Sequence, residues 1–261
     1  MNKPIKLIAL DIDGTLLDSR GSISHRTKKK IENLIEKDKY VVLASGRASR
    51  AAKNIKDKLA LDLPIISYNG AAVQLAGGAK LREKKIALKD AIEIIKYSEK
   101  LGLYIKVYID DVFYIAKDSE SSKRFAQYQD IEYKVVGKLS ENIKDDVNMI
   151  VFVYEELPKD DVDLIFKDLP ITTARSTPYV VEFMAQGSSK AEALKMLADY
   201  LDVKKEEILA AGNALNDLEM IKYSRVGVAM KNSDPDLLKQ WHVVSDYSND
   251  EEGVYHILKD L

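Results

Sequence analysis

The sequence predicts an α/β protein, a doubly wound parallel sheet into which an α+β unit is inserted. In the first and last parts of the 261-residue chain, short apolar runs alternate with amphipathic segments, as in buried parallel strands joined by helices. In the middle part, strand-like runs follow one another with few helices between them, which is typical of an antiparallel sheet. We therefore expect a core domain of residues 1–80 and 186–261 and an inserted domain of residues 81–185.

The first part of the chain predicts a strand–helix–strand–helix–strand order. Ser24 marks the start of the first helix, because serine is a favoured N-cap and apolar residues recur on one face behind it. The predicted strands cover residues 5–10, 40–44 and 65–68, and the second helix covers residues 49–59.

The middle and last parts differ in their order of elements. The middle part predicts a helix over residues 89–101 that ends at Gly102, a hairpin that turns at Asp110 and Asp111, and a short helix at about residues 160–167. Its predicted strands cover residues 103–109, 112–116, 147–154, 171–176 and 179–184. The last part predicts a helix over residues 190–200, followed by strands at residues 208–211, 226–230 and 242–245.

Composition excludes several classes of function. With 40 basic and 42 acidic residues the chain has no excess of positive charge, so we expect no nucleic-acid partner. The absence of cysteine excludes disulfides, thiolate nucleophiles and cysteine-bound zinc. No segment has the length and apolarity of a membrane span, and the first apolar run is too short for a signal peptide. We expect a cytoplasmic protein without a membrane partner; the sequence leaves open whether it is a monomer or a homodimer.

The strongest local motif is Asp11-Ile12-Asp13-Gly14-Thr15, which directly follows the first predicted strand. Ligands of open parallel sheets bind beyond the carboxyl ends of the strands, and the turn at Gly14 allows both carboxylates to reach one centre. One carboxylate can attack an electrophile while the other handles the proton of the leaving oxygen. Backbone N–H groups at Gly14 and the Thr15 hydroxyl can hold anionic oxygens. The alternative is an ordinary turn with Asp and Gly at its special positions.

Two further motifs suit a phosphate group at the same edge of the sheet. Ser45-Gly46-Arg47 follows the second predicted strand, where a hydroxyl and a guanidinium can bind phosphoryl oxygens. Asn69 and Gly70 follow the third predicted strand, although by themselves they indicate only a turn. For both motifs, an ordinary connection into the next element is the alternative.

A cation and a cluster of oxygen side chains complete the candidate site. Lys190 begins a predicted helix, where the helix dipole disfavours a cation, so an anionic partner would explain it; an exposed surface lysine is the alternative. Asn213, Asn216 and Asp217 follow another predicted strand and offer the oxygen ligands that Mg²⁺ prefers. A loop with Asp217 capping the next helix would also explain them. The location of these motifs after strands of one sheet predicts a single site for phosphate and metal.

Taken together, the motifs resemble those of the haloacid dehalogenase superfamily of phosphatases, and more closely those of its Cof-type, or class IIB capped, hydrolases. DIDGTLL resembles the first motif of that family, ASGR the second, SSKAEAL the third and GNALNDLEM the fourth. The resemblance covers the whole predicted core. It implies a Rossmann-like core with an α+β cap, over residues 81–185, that covers the leaving group of the substrate.

The resemblance also implies a role for each matching residue. Asp11 would be the nucleophile that forms a phosphoaspartyl intermediate, and Asp13 the general acid and later the base. Lys190 would hold phosphoryl oxygens and offset the charge of Asp11. Mg²⁺ would bind to the Asp11 carboxylate, the Asp13 backbone carbonyl, Asn213 and Asp217. The phosphate or substrate would contact Gly14, Thr15, Ser45, Gly46, Arg47, Asn69 and Asn216. The implied activity is Mg²⁺-dependent hydrolysis of a small phosphorylated metabolite: a sugar phosphate, flavin mononucleotide, pyridoxal phosphate or a nucleotide.

Two residues depart from the family pattern. Asn213 stands where the family usually has Asp, which removes one negative charge and is expected to weaken Mg²⁺ binding. Ala191 stands where glycine often follows the motif-three lysine, with little expected effect. Asn213 motivates an alternative function, a catalytically impaired homologue that binds or senses a phosphorylated ligand. A phosphosugar mutase is a third possibility, but no feature of the sequence favours the exclusion of water that a mutase needs.

The identity of the substrate depends on the inserted domain. Tyrosine and arginine side chains there can contact a sugar, a nucleotide or another ring, although at strand spacing such residues more often lie in a core or on the surface. The candidates are Tyr104, Tyr108, Tyr114 and Arg175.

Overall fold

A computed structural model describes residues 3–157 and 161–261. The strands, in chain order, are β1 (Leu7–Asp11), β2 (Tyr40–Ala44), β3 (Ile65–Ser67), β4 (Ala72–Gln74), β5 (Lys80–Glu83), β6 (Tyr104–Ile109), β7 (Val112–Ile115), β8 (Tyr133–Val135), β9 (Met149–Val153), β10 (Ile171–Thr177), β11 (Val180–Ala185), β12 (Ile208–Gly212) and β13 (Val226–Ala229). The helices are α1 (His25–Glu36), α2 (Ser49–Leu59), α3 (Leu88–Leu101), α4 (Glu120–Gln129), α5 (Leu139–Asn142), α6 (Val162–Ile165), α7 (Lys190–Tyr200), α8 (Leu218–Tyr223), α9 (Pro235–Leu238) and α10 (Gly253–Leu258).

The first sheet is the predicted doubly wound sheet. Its strand order is β13-β12-β1-β2-β3-β4-β5, parallel from β13 to β3 and antiparallel at β4 and β5. Successive side chains of a strand point to opposite faces. Thus Ile8 and Leu10 pack with α1, α2 and α10, whereas Leu7 and Ala9 pack with α7 and α8. The central strand β1 is buried on both faces, which explains its continuous apolar sequence.

The second sheet contains six strands of the described residues in the order β10-β11-β9-β6-β7-β8. Its neighbours are antiparallel except for the parallel pair β7 and β8. One face packs on α3 through Ile94 and Ile95, and the other faces the first sheet. On that second face, Tyr108 and Met149 share an apolar cluster with Tyr68, so the cap lies directly over the edge of the core sheet.

The predicted domain division follows the two sheets closely, but the exact boundary residues remain a prediction. The boundary near residue 80 falls at the start of β5, which is the edge strand of the first sheet. The boundary near residue 185 coincides with the end of β11, and α7 then returns the chain to the core.

Most predicted elements are confirmed, including the helix end at Gly102 and the hairpin turn, where Asp110 and Asp111 have φ angles of 47° and 66°. The predicted strand at residues 242–245 is wrong, because Val244 makes only an isolated bridge to Ala229. Val243 and Val244 are 55% and 40% exposed, so this apolar run lies on the surface at the sheet edge. Of the short helix predicted at residues 160–167, residue 160 lies outside the described residues, and α6 forms within the remainder.

Helices α4, α5, α9 and α10 and the short strands β4, β5 and β8 were not predicted from the sequence. Helix α4 begins after Ser119, whose hydroxyl accepts a hydrogen bond from the Ser122 N–H group as an N-cap. Among the described residues of this helix, Ser122, Ala126 and Gln129 are buried, and of these only Ala126 is apolar. The buried face therefore gives a weak hydrophobic pattern in the sequence. None of the helices in residues 3–157 and 161–261 combines the length and the apolarity needed to cross a membrane.

Candidate active site

The motifs converge at the carboxyl edge of the first sheet, as predicted. Asp11 ends β1, Ser45 follows β2 and Asn213 follows β12, and β1 lies between the other two strands. Because the three strands are parallel, their ends meet at one edge. There, under the cap, lies a cavity of about 500 Å³ that Asp11, Ser45, Lys190 and Asn213 all line.

A buried cation joins two buried carboxylates at the base of this cavity. Lys190 Nζ lies 2.7 Å from Asp11 Oδ1 and 2.6 Å from Asp217 Oδ1, and none of the three residues is more than 4% exposed. The alternative of an exposed Lys190 is therefore wrong. Burial and the nearby charge of Asp217 raise the pKa of Asp11 to about 7, although Lys190 opposes the shift. Burial disfavours the charge of Lys190, but its two carboxylate neighbours hold its pKa above the ordinary value.

Glycine at two positions allows this close arrangement. Gly14 has a φ of +75°, and a Cβ atom there would lie 2.5 Å from Nδ2 of Asn213. Gly70 has a φ of +94°, and a Cβ atom there would lie 2.1 Å from the carbonyl oxygen of Ser189, which is the N-cap of α7. Gly70 thus allows the start of α7, with Lys190, to approach the end of β3.

The Asp13 side chain forms an ion pair with a cation of the core, Arg47. Its carboxylate accepts two hydrogen bonds from Arg47, at 2.7 Å from Nε and 2.6 Å from Nη2. Two parallel bonds of this kind fix both the position and the orientation of a carboxylate. The hydroxyl of Tyr128, on α4 of the cap, donates a third bond to Asp13 at 3.0 Å. Asp13 is therefore held at the boundary between core and cap.

Asn213 connects Asp11 with the Asp13 backbone. With its Nδ2 turned toward Asp11, the amide donates to the Asp13 backbone oxygen at 2.7 Å, to Asp11 Oδ2 at 3.0 Å and to Thr15 Oγ1 at 3.0 Å. With its Oδ1 turned the same way, the Thr15 hydroxyl donates to it at 3.0 Å, and two other oxygens, the Asp13 backbone oxygen and Asp11 Oδ2, face it without a donor between them. Neighbouring oxygens around Mg²⁺, with bonds of about 2.1 Å, are about 3 Å apart. The distances from the Asn213 amide atom to the Asp13 backbone oxygen, 2.7 Å, and to Asp11 Oδ2, 3.0 Å, match this separation, so these groups suit Mg²⁺.

Asp217 is placed differently from the other expected metal ligands. Its Oδ1 accepts from Lys190, and its Oδ2 accepts from the backbone N–H groups of Asn213 at 2.9 Å and Ala214 at 3.0 Å. Both oxygens thus hold the loop and the cation, so a direct metal contact by Asp217 stays a prediction. Within the described part of the chain, no three His, Cys, Asp or Glu side chains are grouped as metal ligands. A site here would rely on amide and backbone oxygens beside Asp11.

The predicted phosphate-binding residues fall into two groups. Gly14, Ser45, Gly46, Arg47 and Asn216 line the cavity with Asp11. The Thr15 hydroxyl instead contacts Asn213, and Asn69 lies behind the cavity wall, where its Oδ1 accepts from Asn216 Nδ2 at 3.0 Å. Thr15 and Asn69 therefore position other site residues in this arrangement, and a direct contact of either with phosphate stays a prediction.

The cap contributes side chains to the cavity that were not predicted from the sequence. Of the four predicted candidates only Tyr108 lines the cavity, whereas Arg175 pairs with Asp163 at 3.0 Å and Tyr104 bonds to Ser122 at 2.9 Å. The cavity is lined instead by Lys106, Phe125, Tyr128, Gln129 and Glu182. A signal for two of them exists in the sequence, since Lys106 and Glu182 each interrupt an otherwise apolar strand.

Comparison with known proteins agrees with this arrangement. The haloacid dehalogenase-like hydrolase family matches residues 8–258. A Bacillus subtilis phosphatase named for 5-amino-6-(5-phospho-D-ribitylamino)uracil is 31% identical, over 97% of this chain and 96% of its own length. A crystal structure from Thermotoga maritima is 31% identical with a TM-score of 0.82, over 98% of this chain and 97% of its own.

The fold, cap included, also has a counterpart among solved structures. A sugar phosphatase of subclass IIB shares the fold, with a TM-score of 0.83 at 20% identity, over 98% of both chains. The active-site motifs, the cap and the family match agree with one another. The chain belongs to the haloacid dehalogenase-like hydrolases and is a Cof-type phosphatase, a hydrolase of phosphoric monoesters.

Proposed function

We propose that the protein hydrolyses a small phosphorylated metabolite by transferring its phosphoryl group to Asp11, with Mg²⁺ as the cofactor. The observation that carries this proposal is the contact of Asp11 Oδ1 with Lys190 Nζ at 2.7 Å, at the base of a cavity closed by the cap. A buried carboxylate beside a fixed cation can attack a phosphorus atom whose negative oxygens would otherwise repel it.

In the first step, an oxygen of Asp11 attacks phosphorus as the bond to the leaving oxygen breaks. Asp13, in its protonated form, donates its proton to that leaving oxygen, and the alcohol departs. Lys190 and Ser45 stabilise the charge on the phosphoryl oxygens, since Lys190 is fixed and the Ser45 hydroxyl lines the same cavity. Bound Mg²⁺ would offset the negative charge of Asp11 and of the phosphoryl group.

In the second step, Asp13 takes a proton from water as the water attacks phosphorus, which releases phosphate and regenerates Asp11. Arg47 controls the availability of Asp13, because it holds both carboxylate oxygens in the structure. A phosphoryl anion in the cavity competes for the same guanidinium. We infer that substrate binding loosens the bond between Arg47 and Asp13 and frees Asp13 for proton transfer.

The first substrate to test is 5-amino-6-(5-phospho-D-ribitylamino)uracil, for which a 31% identical relative is named. Its phosphorylated chain carries hydroxyl groups, and its distal ring carries carbonyl oxygens. The cavity of about 500 Å³ offers both charged and aromatic side chains to such a leaving group.

The test measures phosphate release from this compound and from an aryl phosphate, with Mg²⁺ and with a chelator. We expect Mg²⁺-dependent turnover that disappears in Asp11→Asn, because an amide cannot form the acyl phosphate. Asp57→Asn is the matched control, since Asp57 pairs with Lys53 on the exposed surface of α2. Undiminished turnover by Asp11→Asn would refute the covalent mechanism.

A further inference from the structure

The cap wall of the cavity presents a cation and an anion on either side of one apolar residue. Lys106 on β6 and Glu182 on β11 are both register partners of Val151 on β9, so all three side chains occupy one row on one face of the cap sheet. All three line the cavity that contains Asp11. Neighbouring strands are about 4.8 Å apart, so the two charged residues stand about 10 Å apart across the row.

Lys106 is buried without an ion-pair partner. It is 7% exposed, its Nζ lies 3.3 Å from the centre of the Phe125 ring, and no carboxylate of residues 3–157 or 161–261 stands within ion-pair distance of it. Burial lowers its pKa to about 8, with Glu182 opposing the shift. A ring face stabilises a cation only partly, and a buried charge without a full partner is costly. Packing alone would be served better by an apolar residue of similar volume.

Glu182, at the other side of Val151, already has a hydrogen-bond partner and lies close to the turn at Gly46. It accepts a hydrogen bond from Asn69 Nδ2 at 2.8 Å, and a Cβ atom on Gly46 would lie 3.4 Å from its Oε1. Glu182 therefore stands against the turn that is proposed to bind the phosphoryl group. Lys106 stands two strands away, on the opposite side of Val151 from Glu182.

We propose that Lys106 is a specificity-determining residue that binds an anionic or carbonyl oxygen at the end of the leaving group remote from the phosphate ester. The proposal rests on the proposed function, because it assigns a contact in the same cavity. It commits the substrate to a class: a phosphate ester whose leaving group carries a strong hydrogen-bond acceptor at its far end. Its hydroxyl groups near the ester would face Glu182.

Two six-carbon phosphate esters test this assignment because they differ only at the far end. Gluconate 6-phosphate carries a carboxylate at carbon 1, whereas glucitol 6-phosphate carries a hydroxyl there, and the scissile bonds are alike. We expect the wild-type enzyme to prefer gluconate 6-phosphate by about 10-fold or more in kcat/KM. We expect Lys106→Met to lose this preference, because its kcat/KM should fall much more on gluconate 6-phosphate than on glucitol 6-phosphate.

Three other variants control for indirect effects. Lys134→Met removes an exposed cap lysine that also faces a ring, 5.6 Å from Tyr114, and should leave the preference unchanged. Lys106→Arg keeps the charge and should retain part of the preference. Lys106→Gln takes the place of Lys106→Met if the latter does not fold.

Equal losses on the two esters, or an unchanged preference in Lys106→Met, would overturn the proposal. It is also overturned if an aryl phosphate is hydrolysed and neither six-carbon ester is. In each of these cases turnover persists, so the proposed function stands. Absence of turnover on every ester, the aryl phosphate included, would instead refute the proposed function and the specificity assignment with it.

Discussion

The hydroxyl of Tyr128 lies 3.0 Å from Oδ1 of Asp13, so a helix of the cap contacts the proposed general acid directly. Arg47 holds the same carboxylate from the core side and lies 5.1 Å from the centre of the Tyr128 ring. Of these contacts, the two made by Tyr128 join the cap to the core. The position of the cap and the position of the general acid are therefore coupled through Tyr128.

Replacement of Tyr128 tests this coupling. We expect Tyr128→Phe to lower kcat/KM by about 5-fold, corresponding to about 1 kcal/mol, because a hydrogen bond to a carboxylate is lost at a largely exposed position. Stability should hardly change, since the side chain is on the surface. Steady-state kinetics and urea unfolding measure the two effects. Tyr133→Phe, which removes a bond to Asp118 elsewhere on the cap, is the control, and equal kinetics for both variants would disprove the coupling.

Asn213→Asp should lower the stability of the metal-free protein and raise its affinity for Mg²⁺. A carboxylate at this position cannot donate to the Asp13 backbone oxygen at 2.7 Å or to Asp11 Oδ2 at 3.0 Å. Without metal we expect a loss of about 1–3 kcal/mol in the free energy of unfolding. With Mg²⁺ we expect at least about 10-fold tighter binding, because hard cations prefer carboxylates. Urea unfolding with a chelator and with Mg²⁺ measures both. An identical stabilisation of wild type and variant by Mg²⁺ would contradict a metal site at Asn213.

Lys190→Met should destabilise the protein strongly at neutral pH. The change leaves Asp11 and Asp217 buried without their shared cation, and removal of one partner from a buried ion pair costs about 3–5 kcal/mol. Part of the loss should return at acidic pH, because burial raises the pKa of Asp11, which then takes up a proton more readily in the folded protein than in the unfolded chain. Lys195→Met, on the exposed side of the same helix, is the control. A Lys190→Met variant as stable as this control at neutral pH would rule out the buried ion-pair network.

Burial of Lys106 predicts a dependence of stability on pH. Its pKa is about 8 in the folded protein, against an ordinary value of 10.5, so between these pH values the unfolded chain binds the proton and the folded protein does not. Stability contributed by this group therefore rises with pH over this window and is constant below it. Relative to Lys106→Met, the wild-type protein should gain about 2 kcal/mol between pH 7 and pH 10. Urea unfolding at both pH values measures the gain. If the free energy of unfolding changed equally with pH in the two proteins, burial would not lower the pKa of Lys106.

Much of the fold and part of the site were predictable because the signals are local. The apolar run of β1, the N-cap at Ser24 and the helix end at Gly102 each depend on neighbouring residues, and all three are confirmed. The convergence of the motifs was also predictable, since parallel strands bring their carboxyl ends to one edge. The wrong prediction of a strand at residues 242–245 shows the limit of this reasoning, because apolar composition alone does not tell whether another strand pairs with the segment.

The sequence by itself determined the order of the core elements, the edge at which Asp11, Ser45 and Asn213 meet, and the absence of cysteine chemistry. Only the tertiary structure decided that the Asp13 carboxylate accepts hydrogen bonds from Arg47, and that the Asp217 carboxylate accepts them from Lys190 and from the backbone of the loop. It also decided that Lys106 and Glu182 face the same cavity from separate strands. The physical reason is the separation along the sequence of the residues that interact. Strand and helix patterns arise between close neighbours in the chain, whereas the partner of a buried charge depends on the register of strands that are far apart in sequence.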